Sequence, residues 1–301
     1  MRKMLAVLTA AVLSGLAAPA GAAWWVENDY SIGSKRFQRD SLSLTVRTAP
    51  RFTAGCGAEF YKDDAHDLKK AYAFRAPLTY SSSKFILSLK PFIYPASSGT
   101  GSSARGSRLA VLLPLSEKAD GSYLRFSLGG ALAGQRTPLL APSAAAGAES
   151  FSETAVEGQL EKSFYNQFFF QASAAGFSRT GDRNSNPAVK PGPDRINPVM
   201  DHSELAYMGA FRPVTALPKM ALAAQLARNM APDYDSYLYA GFSRITFRDT
   251  RDANSLLGGI KLRLNNTAAM DLGYNYFRVN GESGENYYKL LIQVFFDKGG
   301  R

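Results

Sequence analysis

The sequence is poor in several features on which soluble and helical proteins rely. Its 301 residues contain one cysteine, Cys56, so no intramolecular disulfide can brace the fold. Cys56 alternates with Phe52, Ala54, Ala58 and Phe60, which makes it one small apolar residue among others. There are only two histidines, His66 and His202. His202 stands beside Ser203, and neighbours on an extended strand face opposite ways, so the two do not form a nucleophile and its base. After residue 23 no window approaches 18 uncharged apolar residues, which excludes a helical membrane protein.

Two glycine- or aspartate-rich stretches fall short of the motifs they suggest. "DRNSNP" starts like a calcium loop at Asp182, Asn184 and Asn186 but lacks the later glycine and glutamate, with Pro187 and Pro193 in the way. "GTGSSARG" lacks the dinucleotide spacing and precedes no helical pattern. No metal or cofactor site is expected, and no catalytic residue is assigned. Acidic residues are also scarce: 25 Asp and Glu stand against 35 Lys and Arg. Such a balance suits anionic lipid or anionic solutes. Without a basic run or basic helix, nucleic acid is not an expected partner.

What is present begins with residues 1–23. Arg2 and Lys3 precede an apolar run from Met4 to about Leu16, which ends on Gly21, Ala22 and Ala23. This is the build of a secretory signal peptide with a small-residue cut. The run is short for a bilayer span. The 35 basic residues less Arg2 and Lys3 leave 33, so the exported chain remains basic.

From Ser41 onward an alternation of period two returns in segments of roughly 9–12 residues. Leu42, Leu44 and Val46 alternate with Ser43, Thr45 and Arg47. Tyr72, Phe74, Ala76, Leu78 and Tyr80 share one face of the third segment, and Leu87 and Leu89 oppose Ser88 and Lys90 in the fourth. "RLAVLLPL", "YLRFSLGGAL" and "QFFFQASAAGFS" continue the series. Leu205, Tyr207, Gly209 and Phe211 read as a ninth strand. Met220, Leu222, Ala224 and Leu226 read as a tenth despite their helical composition, and Tyr237, Tyr239, Gly241 and Ile245 as the apolar side of an eleventh. The last segment carries Tyr288, Leu290, Ile292, Val294 and Phe296 on one side. Three connections, "ASSGTGSSARGS", "GQRTPLLAPSAAAGAES" and "RTGDRNSNPAVKPGPDRINPVMDHS", read as long surface loops, and the last is a candidate to fold inward and narrow the entrance of a barrel.

About fourteen such strands, with a range of 12 to 16, are too many and too long for a soluble sandwich. An all-β, closed antiparallel transmembrane barrel fits better, because hydrocarbon forbids an unpaired sheet edge. The barrel is assigned to residues 40–296, with a tail at 297–301. Residues 24–39 are a candidate for one further strand. Counted from Ser41, the long loops and the short "NN" turn fall out of phase, so either "WWVENDYSIGSKRF" supplies a strand or one of the ninth to eleventh is misassigned.

Signal peptide, repeated alternation, aromatic enrichment and a last strand ending on Phe296 together resemble the bacterial outer-membrane β-barrel superfamily over residues 41–296. The resemblance implies an outer-membrane location. It also implies that Tyr288, Leu290, Ile292, Val294 and Phe296 form the signal read by the barrel-insertion machinery.

In such a barrel the polar alternates line the lumen. The expected acidic set is Glu59, Glu153, Glu157, Glu161 and Asp271. The basic set is Arg51, Arg75, Lys90, Arg125, Arg244, Lys261, Arg263 and Lys289. With Glu153, Glu157 and Glu161 near the middle of the chain and Lys261, Arg263 and Lys289 near its end, a transverse field across the lumen is expected. The sequence points to a passive, porin-like channel for small hydrophilic solutes with a mild anion preference, and not to an enzyme. A partner-anchoring or assembly barrel with a plugged lumen is the alternative, followed by a lipid-modifying enzyme. The solute and the oligomeric state are left open.

Overall fold

A strand that is apolar on one side only must pair along both edges and find an apolar phase for that side. The computed structural model shows how the chain meets both demands. It describes residues 23–296 apart from 64–67, 97–102, 141–147, 166, 181–189, 192–196, 202–215, 231–235 and 249. His66, His202, Ser203, the expected ninth strand, "DRNSNP", the tail 297–301 and nearly all of the expected signal peptide lie outside the described residues.

The elements are β1 Trp24–Gly33, β2 Phe37–Ala49, β3 Phe52–Asp63, β4 Leu68–Arg75, β5 Leu78–Ser81, β6 Ile86–Tyr94, β7 Ser103–Glu117, β8 Tyr123–Leu140, β9 Ala148–Phe164 and β10 Phe168–Thr180. They continue with β11 Lys190–Pro191, a short helix α1 Pro198–Asp201, β12 Pro218–Asn229, β13 Tyr237–Phe247, β14 Ala253–Asn265, β15 Ala268–Val279 and β16 Glu285–Phe296. Each strand of the ring pairs antiparallel with its sequence neighbours. The ring closes where Trp24 faces Phe296 and Gly33 faces Tyr287. β4 and β5 are two parts of one stave, broken at Ala76 and Pro77. Pro77 has no N–H for the ladder, while its carbonyl accepts from Gly55 and the Ala76 N–H donates to Pro91. β11 pairs only with the end of β8. The barrel therefore has 14 staves.

Residues Trp24–Gly33 form the first stave, which puts the connections in phase. The turns Pro50–Arg51, Lys118–Ser122 and Asn266–Thr267 lie at the end that holds both Trp24 and Phe296, and the connections from β6 to β7, from β8 to β9 and from β10 to β12 lie at the other. In the Lys118–Ser122 turn the Ser122 N–H donates to Asp120 Oδ1 at 2.8 Å. That bond holds the Asp120 carboxyl below its usual range.

The expected loops are shorter than their polar composition suggests. β7, β8 and β9 run for 15, 18 and 17 residues, so "ARGS" and "GQRTPLL" belong to strands. Backbone pairing there continues past the end of the apolar alternation, and it leaves no hydrophobic signature.

Outward residues form an apolar belt. Aromatic pairs mark its two margins: Trp24 stacks on Phe296 with centroids 3.8 Å apart at the short-turn end, and Tyr274 meets Tyr288 at 5.5 Å toward the other. Lys162 and Arg228 lay their cations over Phe164 and Phe168 on the short-turn margin, as snorkelling bases do at an interface. Tyr288 and Phe296 are eight residues apart on one strand, about 26 Å along it, or about 20 Å along the barrel axis after tilt. Those rings therefore sit just inside the edges of an apolar band of about 25 Å. Cys56 is on this outer face. Leu128 is 49% exposed within the belt. Leu128→Arg is expected to destabilise the barrel in phospholipid vesicles by about 2–4 kcal/mol, measured by urea unfolding. A cost near zero would mean that water covers this face.

Candidate functional site: the lumen

Alternation and pairing register divide the wall cleanly. Glu59, Arg75, Lys90, Arg125, Glu153, Glu157, Glu161, Lys261, Arg263, Asp271 and Lys289 all lie in the inward rows. Two expected lumen bases do not. Arg51 occupies the turn Pro50–Arg51 at the rim, because β3 starts only at Phe52. Arg244 points outward and is paired with Asp252 at 3.0 Å. On β13 it is Tyr237, Tyr239 and Ile245 that face inward, with Leu238 and Phe242 outside. Both sides of that strand are apolar, so hydrophobicity alone did not reveal which one faces outward.

Several of the inward charges meet an opposite charge along the wall. Glu59 takes Arg75 at 2.7 Å and Arg39 at 3.3 Å. Arg108 on β7 pairs with Glu157 across β8. Gly129 makes room for that pair, since a Cβ there would lie 2.8 Å from the Glu157 carboxylate. Glu161 accepts from Tyr123 and lies 3.9 Å from Arg125. Asp271 takes Lys289 at 2.8 Å and the Tyr239 hydroxyl at 2.8 Å. Short-range pairs between nearby strands thus hold Glu157, Glu161 and Lys289, three of the charges from which a transverse field is expected. Separation across the lumen weakens attraction, while neighbouring staves bring opposite charges into contact.

At the long-loop end the chain turns into the barrel. Asn197 and Val199 are 0% exposed and Met200 is 2% exposed. α1 packs on β7, β8 and β9, where the wall is built from Ala104, Ala131, Ala133 and Ala155. Small side chains leave the volume that the helix fills. Asn197 Oδ1 accepts from the Met200 N–H at 2.9 Å, and its Nδ2 donates to Glu153 Oε1 at 2.9 Å. Gln135 supports Glu153 at 3.3 Å. At the other end of α1, Asp201 Oδ2 accepts from Tyr61 at 2.6 Å and from Tyr94. A buried carboxylate is tolerable only with such donors.

Asn197, Asp201, Tyr61, Tyr94, Arg39 and Arg108 were not among the residues singled out from the sequence. "NPVMD" did carry a signal, an asparagine cap followed by proline at the first helical position. The destination of that turn depends on tertiary contacts.

At the short-turn end the lumen is wider in chemistry. Tyr123, Phe169, Tyr237 and Tyr239 form an arc of partly buried rings, with successive centroids 6.3, 6.3 and 6.1 Å apart. Arg125 lies 4.0 Å from the Tyr123 ring, Lys261 5.8 Å from Tyr237, and Arg263 4.3 Å from Phe295.

Among solved structures, the CymD monoaromatic hydrocarbon channel aligns over 93% of this chain and 89% of its own, with a TM-score of 0.52 and 13% identity. The chain has the fold of a bacterial outer-membrane β-barrel. A loop-deletion mutant of OmpT, an outer membrane protein of Vibrio cholerae, aligns over 91% of this chain and 98% of its own, with a TM-score of 0.48 and 10% identity. OccK11 of Pseudomonas aeruginosa aligns over 91% and 95%, at 0.45 and 10%. No protein-family model and no curated protein matches the sequence. The likeness is therefore one of fold.

Proposed function

We propose that the protein is a passive channel of the outer membrane for small hydrophilic solutes, narrowed at its long-loop end by Asn197–Asp201. The observation that carries this reading is the division of a closed 14-stave barrel into an apolar outer belt and an ionised inner wall. Hydrocarbon solvates the first, and water and solutes solvate the second. The description of CymD as a channel supports the same reading. No chemistry on the solute is required, so the protein is read as a conduit and not an enzyme.

A mild anion preference would arise at the short-turn mouth. The acids Glu59, Glu157, Glu161 and Asp271 have basic partners, and Lys261 rests its charge on the Tyr237 ring. Glu27, bonded to Gln293 at 2.6 Å, offsets part of that excess. Tyr288, Leu290, Ile292, Val294 and Phe296 lie together on the outer side of β16 beside β1, where insertion machinery could read them before the seam closes.

Planar-bilayer recordings of the purified protein test the reading. Discrete channels with a reversal potential shifted modestly toward that of the anion are expected. The buried helix favours a second reading, a plugged barrel that anchors a partner, and repeated insertions without any conductance would select it over the first.

A further inference from the structure

The aromatic arc at the short-turn mouth has a composition that neither barrel closure nor membrane insertion requires. Its rings face the lumen, on the inner side of the wall, and are only partly buried. The inward row next to it carries Arg125, Glu161, Gln171 and Gln225 in one register. One row further in, the Oε1 of Gln159 is buried without a hydrogen-bond partner among the described residues. At the other end of the arc, Tyr239 donates to Asp271. Flat apolar faces and a belt of groups that donate and accept therefore sit side by side.

We infer that this arc is a binding track for saccharides, with Phe169 and Tyr237 as its central stacking surfaces. A pyranose ring offers C–H bonds on its flat side, which meet the electron-rich face of an aromatic ring. Its hydroxyls both donate and accept, which matches glutamine amides and guanidinium–carboxylate pairs. An aromatic carboxylate also offers a flat face, but an ionised carboxylate only accepts, so it leaves the carboxylate and amide oxygens of Glu161, Gln171 and Gln225 without a donor. Neutral hydroxyls tolerate both signs. The inference names the solute class of the proposed channel, and it rests on that reading only in requiring the mouth to be open to solutes.

The test is calorimetric titration of the purified protein in detergent micelles with maltohexaose, with benzoate as the competing probe. Saturable binding of maltohexaose is expected. It should weaken roughly tenfold in Phe169→Ala and in Tyr237→Ala, about 1.4 kcal/mol for each ring, and persist in Phe169→Tyr. Circular dichroism of each variant checks that the sheet has formed. Absence of maltohexaose binding to the unaltered protein, equal binding in both folded alanine variants, or tighter binding of benzoate would each overturn the inference. Ring-dependent maltohexaose binding by a protein that never conducts would uphold the track and discard the channel. Conductance without saccharide binding would do the reverse.

Discussion

Asp201→Ala is expected to raise unitary conductance severalfold and to lengthen the open events in bilayer recordings. The side chain accepts from two buried phenols, Tyr61 and Tyr94, at the inner end of α1. A hydrogen bond to a charged group contributes about 1.5–3 kcal/mol net, and removal of the carboxylate leaves both hydroxyls buried with one acceptor fewer. Loss of even one such bond shifts the ratio of seated to unseated segment by about 10- to 100-fold. The contacts that remain, Asn197 with Glu153 and the alanine shell around Val199 and Met200, hold only the other end. Asp201→Asn keeps an acceptor for one phenol and should fall between the two. If Asp201→Ala conducts as the unaltered protein does, the segment does not govern the pore.

The second large effect concerns stability. Arg108→Ala is expected to cost about 3–5 kcal/mol, read from urea unfolding in phospholipid vesicles, because it strips Glu157 of a guanidinium in a place where both side chains are nearly inaccessible to water. Removing both charges at once, as Arg108→Leu with Glu157→Leu, should recover most of that loss, since the desolvation penalty then disappears with the attraction. The pair also sets the local field of the wall, so the single variant should make the pore more cation-selective while the double variant should not. Equal stability of the single and double variants would show that Glu157 is not held by Arg108.

Much of the architecture was legible because the signal is local. Leu42, Leu44 and Val46, or Tyr288 to Phe296, alternate with polar partners because one side of each strand faces outward and the other the lumen, and register then follows from pairing. The inward position of Glu59, Glu153, Glu157 and Asp271 follows from the same rule. It failed on β13, where Tyr237 and Tyr239 match Leu238 and Phe242 in apolar character, and Arg244 was assigned to the wrong side. It also missed the far ends of β7 to β9, whose polar residues are held by backbone bonds that no side chain announces.

The sequence by itself determined a barrel of about fourteen staves with a charged interior, because a period of two and the ban on free sheet edges in hydrocarbon admit few other solutions. The tertiary structure alone decided which charges meet and which residues of the long connection after β10 are buried in the lumen. Arg108 and Glu157 are 49 residues apart, and Tyr61 and Asp201 are 140 apart. Such contacts depend on closure of the ring and on the inward path of one connection, and neither leaves a periodic trace along the chain.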